Sequence, residues 1–172
     1  PGKKGASVFP NFSLLVFGGV AFEPYRESFK ELVGKEVPSV ETYPSSEGFI
    51  AYQDTRLEEG MLLCVNHGIF YEFIPVNEYF NKNPTRVALD GVELGVDYAL
   101  ILSTNAGLWG YSIGDTVRFV SKKPYRLVVS GRIKHFTSAF GEHVIGKEVE
   151  NALRLAIEKH PAEVNEFHVA PQ

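Results

Sequence analysis

Long hydrophobic runs are missing from this 172-residue chain, and so is any same-sign charge cluster larger than Lys3-Lys4. The first absence argues against a membrane-spanning helix, which needs about 20 consecutive apolar residues. The second argues against nucleic acid as a partner, because the net charge of -4 is spread without a basic block. Cysteine is nearly absent as well. Cys64 stands alone inside Met61-Leu62-Leu63-Cys64-Val65, so no intrachain disulfide can form and the thiol reads as a small buried hydrophobe. That favours a reducing compartment, and we expect a soluble, cytoplasmic protein. The histidines His67, His135, His143, His160 and His168 lack the close helical pairing of a zinc hydrolase. A Gly-x-Ser-x-Gly elbow, a Walker loop and a dinucleotide fingerprint are also lacking. The start, Pro1-Gly2-Lys3-Lys4, has neither an initiating methionine nor an apolar signal core, and reads as truncated.

What is present reads as mixed α/β. The apolar stretch Phe12 to Val20 predicts a strand of a covered sheet. Tyr25, Phe29, Leu32 and Val33 recur at helical spacing and predict a core-facing helix stopped by Gly34, and Val40 to Tyr43 predicts a second strand. From Gly48 to Ser130 the period changes to that of strands: Phe49–Tyr52, Met61–Val65, Ile69–Ile74, Tyr98–Ser103, Thr116–Val120 and Tyr125–Val129. A mostly antiparallel sheet or partial barrel follows. After Lys134 the helical period returns in Val149, Leu153, Ala156 and Ile157, with Lys159 and His160 in the last turn. Pro161 ends that helix, and Val164 to Val169 can form one more strand.

Three islands carry chemistry. In Tyr43-Pro44-Ser45-Ser46-Glu47-Gly48, a carboxylate on a turn can hold Mg²⁺ on a phosphate while the aromatic ring covers a base. Gly107-Leu108-Trp109-Gly110-Tyr111 runs into Ile113-Gly114-Asp115, where Asp115 opens the strand from Thr116 and can accept hydrogen bonds from a ribose diol. In Gly131-Arg132-Ile133-Lys134 an arginine at a strand end can meet a phosphate or ribose oxygen. Taken singly these are also a Ser-rich turn, a Gly-Asp turn and a surface arginine. Their order is what gives them weight.

Taken together, the islands resemble the acyl-acid amido synthetases of the auxin-responsive Gretchen Hagen family, a branch of the adenylate-forming superfamily of acyl-CoA ligases and luciferase. The resemblance runs from Tyr43 to Leu153 and includes Phe70-Tyr71-Glu72-Phe73-Ile74-Pro75, Leu94-Gly95-Val96-Asp97-Tyr98-Ala99-Leu100, Ser103-Thr104 and Gly107-Leu108-Trp109. It implies a luciferase-like fold in which residues 1–133 are part of the large adenylation domain. Within it, 1–60 would be an α/β portion and 61–133 a β-rich portion, and 134–172 would begin the small C-terminal domain. It implies ATP and Mg²⁺ as cofactors, and a carboxylic acid and an amine or amino acid as substrates. Tyr43, Ser45, Ser46, Tyr111, Asp115 and Arg132 would bind nucleotide. Glu47 and Arg132 would be catalytic, with Glu47 the Mg²⁺ ligand. Lys134 would be the hinge between half-reactions, and His143 a contact from the small domain. The first island resembles the Tyr-x-Ser-Ser-Glu motif of that family.

The departures are specific. Plant members carry arginines on both sides of the tyrosine where this chain has Gly110 and Ser112, and a lysine near His143. A phosphate loop before Tyr43 and a late catalytic lysine are both missing, so the chain reads as an internal piece of a larger enzyme, inactive alone. Two alternatives stand beside the amido synthetase: an acyl-CoA ligase, and a catalytically silent nucleotide-binding module.

Overall fold

The computed structural model describes residues 4–19, 22, 25–56, 59–133, 137–139, 142–144 and 146–160. The chain divides into two compact units, residues 1–64 and 65–172. In the first, a short helix α1 (Gly5–Val8) precedes β1 (Leu15–Gly18), α2 (Arg26–Val33), β2 (Ser39–Ser45), β3 (Gly48–Tyr52) and β4 (Met61–Leu63). β1 pairs parallel with β2, while β2 with β3 and β3 with β4 are antiparallel. The expected strand-helix-strand unit is present. Gly18 is required inside it, because a Cβ there would meet the Thr42 carbonyl oxygen at 2.5 Å.

Gly34 ends α2 in the left-handed region, φ +84°, with its N–H donating to the Lys30 carbonyl. The expected apolar face of this helix is only partly covered. Val33 is buried and Phe29 half-buried, yet Leu32 is 71% exposed and Tyr25 60%. At 3.6 residues per turn the covered arc centres between Phe29 and Val33, which leaves Tyr25 and Leu32 roughly 60–80° round the helix. β1 is likewise shorter than the apolar stretch suggests, and its Val16 is exposed.

The second unit contains β5 (Ile69–Pro75), β6 (Asp97–Thr104), β7 (Tyr111–Lys122) and β8 (Tyr125–Arg132), an antiparallel meander. A two-stranded ribbon, β9 (Thr137–Ala139) with β10 (Glu142–Val144), and the helix α3 (Gly146–Lys159) complete it. Alternation places Tyr71, Phe73, Leu100, Leu102 and Val117 on one face of the meander, where they form the core with Phe119 and Leu127. Phe73 meets Phe119 edge-on at 5.0 Å and Tyr98 at 6.0 Å. The other face carries a smaller cluster of Ile74, Ala99, Ile101 and Ile133, with Val76 and Tyr79 packed on it. Arg118 meets Asp97 across β6 and β7 with two hydrogen bonds. The strand expected at Val164–Val169 and the expected hinge residue Lys134 lie outside the described residues.

β7 departs from expectation at its start. A strand from Thr116 follows from the glycines before it, yet the strand begins at Tyr111 and Asp115 sits inside it. The ladder shows how. Ile101 faces Ser112 and Ala99 faces Thr116, so Ile113, Gly114 and Asp115 together oppose Leu100 alone. Gly114 has φ +82°, which an L side chain adopts only with strain. On β8 a second irregularity answers it: Thr116 faces Gly131 and Val117 faces Val129, leaving Ser130 as the extra residue.

Candidate functional site

The first unit holds the first island on the β2–β3 hairpin. Ser45 faces Gly48, and Ser46-Glu47 form the two-residue turn. The Ser45 hydroxyl donates to the Gly48 carbonyl at 3.0 Å, so its proton is engaged in holding the hairpin. Ser46 is exposed and Glu47 half-buried. Neither side chain makes a hydrogen bond or ion pair with any described residue. Tyr43 is only 5% exposed, which gives a base an edge and not an open ring face. Of the island's expected contacts, Ser46 and Glu47 are the open ones.

The second unit brings the other two islands together. Asp115 and Arg132, 17 residues apart in sequence, face each other across β7 and β8, and Arg132 Nε donates to Asp115 Oδ1 at 2.8 Å. The carboxylate is the enclosed partner, with its side chain 12% exposed against 64% for the guanidinium. Below the pair, the Ser130 hydroxyl donates to Thr116 Oγ1 at 3.0 Å in a buried contact that holds the bulge in place. Tyr111 lies at the start of the same strand and is 43% exposed. His143 lies on β10 opposite Ser138.

Electrostatics elsewhere in the chain are simple. Burial pushes the Cys64 thiol above its ordinary value, which agrees with the reading of this cysteine as a core residue. Glu78 is held below the usual carboxylate value by hydrogen bonds from the Thr85 side chain and backbone. Among the described residues no cluster of three His, Cys, Asp or Glu side chains could cage a metal. A lone uncommitted carboxylate such as Glu47 nevertheless suits Mg²⁺, which keeps most of its waters and is bound through one or two carboxylates plus substrate phosphates.

The bulge of residues 113–115, the Ser130–Thr116 contact and the placement of Arg86 beside Gly110 were not legible from the residues alone. The single available signal was the pair Gly114 and Gly131, both of which have positive φ.

Comparison of whole folds places this architecture among solved structures. A GH3.15 acyl acid amido synthetase superposes with a TM-score of 0.69 over 90% of this chain and 29% of its own, at 19% identity. An anthranilate CoA ligase in complex with anthranoyl-AMP superposes with a TM-score of 0.54 over 87% of this chain and 29% of its own, at 17% identity. The chain thus has the adenylate-forming fold. Residues 62–132 match the GH3 family central domain, and a jasmonoyl–L-amino acid synthetase of Nicotiana attenuata, JAR4, is 32% identical over 119 residues, 64% of this chain. The stretch 62–132 is thus similar to the GH3 family central domain, in agreement with the Gretchen Hagen resemblance of its motifs. The chain spans about a fifth (20%) of the length of that relative.

Proposed function

We propose that the protein to which these residues belong is an ATP-dependent acyl-acid amido synthetase. In the first half-reaction an oxygen of the acid's carboxylate attacks the α-phosphorus of ATP, the bond to the β-phosphate bridging oxygen breaks, and pyrophosphate departs. In the second, an amine attacks the acyl carbonyl, the bond to AMP breaks with its electron pair leaving on AMP, and the amine sheds a proton. The observation that carries this reading is the Asp115–Arg132 pair at the bulge, inside the segment that matches the GH3 central domain.

Each residue then has a task. Asp115 accepts hydrogen bonds from the ribose hydroxyls, and Arg132, oriented by Asp115, directs its remaining donors at ribose or phosphate oxygens. Ser46 supplies the free hydroxyl donor of the first island. Ser45 shapes the turn that presents it. Tyr43 and Tyr111 supply apolar walls for the nucleotide. Glu47 would hold Mg²⁺, which when bound neutralises charge on the phosphate oxygens. Lys134 serves as the hinge, and His143 reaches the nucleotide from the small domain. No helix among the described residues is long and apolar enough to cross a membrane, and we assign the protein to the cytoplasm.

The test is acid-dependent ATP/pyrophosphate exchange by the whole protein over a panel of carboxylic acids, followed by product analysis with amines, amino acids or coenzyme A. Exchange with amide formation supports the reading. Thioester formation alone would replace it with an acyl-CoA ligase, and no exchange with any acid would leave a nucleotide-binding module.

A further inference from the structure

Arg86 is a surface arginine whose backbone is anchored on both sides. On one side of it, the Thr85 N–H donates to Glu78 Oε2 at 3.0 Å. On the other, Val87 and Phe73 exchange both backbone hydrogen bonds, at 2.8 and 2.9 Å, which fixes the chain to the edge of β5. The guanidinium reaches the turn before β7, where Nη1 lies 3.1 Å from the place a Cβ would occupy on Gly110. A side chain at Gly110 would press on the guanidinium and require it to shift by a few tenths of an ångström. Gly110 is itself held, with its N–H donating to Ser103 Oγ at 2.9 Å.

All this anchoring leaves the donors of Arg86 unspent. Among the described residues its single ionic partner is Glu72, at 3.5 Å between Nη1 and Oε2, too long for a well-formed hydrogen bond. The guanidinium makes no hydrogen bond with any described residue, and its side chain is 46% exposed. An ion pair of this kind contributes little to stability. A planar guanidinium with open donors, carried on an anchored stretch of backbone, is instead suited to a carboxylate, which it can meet as a fork. Next to it, across the Ser103–Gly110 hydrogen bond, is an open depression of about 460 Å³ whose rim includes Phe70 and Trp109, the latter 84% exposed. A cation beside an aromatic rim matches an α-amino acid, with carboxylate on one and side chain on the other.

Tyr111 and Gly110 stand four and five residues before Asp115, and with two of those residues taken up by the bulge the rise of ~3.3 Å per residue puts them about 7–10 Å from it. We infer that Arg86 is the specificity-determining residue that holds the carboxylate of an amino-acid acceptor, an inference that rests on the amido synthetase reading.

The experiment uses the whole protein, wild type and with Arg86→Ala and Arg86→Lys. Amide formation is measured with the standard amino acids, with the α-carboxamide of the best one, and with coenzyme A. Arg86→Ala should raise KM for the amino acid by roughly 10- to 100-fold, the worth of a charge-assisted hydrogen bond. Arg86→Lys should recover part of it, and neither should alter KM for the carboxamide. Acid-dependent exchange by the variants reports that they are folded. An unchanged amino-acid KM, an equal loss with the carboxamide, or an Arg86 effect confined to coenzyme A would each overturn the inference while leaving adenylation intact. Absence of exchange in the wild-type protein would remove the functional reading, and this inference with it.

Discussion

Replacing Asp115 by Ala or Asn in the whole protein separates its ion pair with Arg132 from its proposed contact with ribose. The carboxylate accepts from Arg132 Nε, and it is nearly enclosed while the arginine is mostly in water. Removing it leaves a guanidinium that solvent can satisfy, so the loss from this ion pair should be small, about 0.5–1 kcal/mol. Loss of the proposed ribose contact is larger, because a hydrogen bond to a charged acceptor is worth about 1.5–3 kcal/mol, or roughly 10- to 150-fold in KM for ATP. Asn keeps the shape and one acceptor oxygen and should fall between wild type and Ala. The assay is ATP/pyrophosphate exchange as a function of ATP at saturating acid, with a thermal melt of each variant beside it. A KM for ATP within twofold of wild type in a folded Asp115→Ala protein would refute the ribose assignment. So would an effect confined to acid preference.

Glu47→Ala should raise the Mg²⁺ concentration needed for half-maximal exchange at least roughly tenfold, and an identical Mg²⁺ titration would remove Glu47 from the metal. Phe73 is fully buried between Phe119 and Tyr98, so Phe73→Ala should cost about 3–5 kcal/mol in a urea titration. A loss below about 1 kcal/mol would show that this face is not the core of its unit. Cys64 has a raised pKa through burial, so at neutral pH it is a thiol in the folded protein, and alkylation should be slow and accelerate as pH climbs. Equal rates with and without denaturant would contradict its burial.

Much of the architecture was legible because alternation is a local signal. β5 and β6 each lie within a residue or so of the apolar runs Ile69–Ile74 and Tyr98–Ser103. The errors have the opposite character. The start of β7 looked like a turn because Gly110, Ser112 and Gly114 carry turn chemistry, and only pairing on both sides makes a strand of it. The order of Asp115 and Arg132 was readable, but their direct opposition depends on the register of two irregular strands. Tyr43 reads as an available ring because nothing local reports its burial. Arg86 lies in the polar run Asn81-Lys82-Asn83-Pro84-Thr85-Arg86, and what distinguishes it comes from Glu78, Phe73 and Gly110.

The extra residues of β7 number two, since three residues oppose one. An even excess keeps Ser112 and Thr116 pointing to the same side of the sheet, so the strand leaves the irregularity in phase with its neighbours. Lengths at this place are therefore quantised. Removing one residue between Ser112 and Thr116 would throw every later side chain of the strand onto the wrong face, whereas removing Gly114 and Asp115 together would yield an uninterrupted ladder against β6, a tidier sheet with no carboxylate opposite Arg132. Deletions here are thus poor candidates for neutral drift: the odd one breaks the fold, and the even one leaves the fold while erasing the clasp.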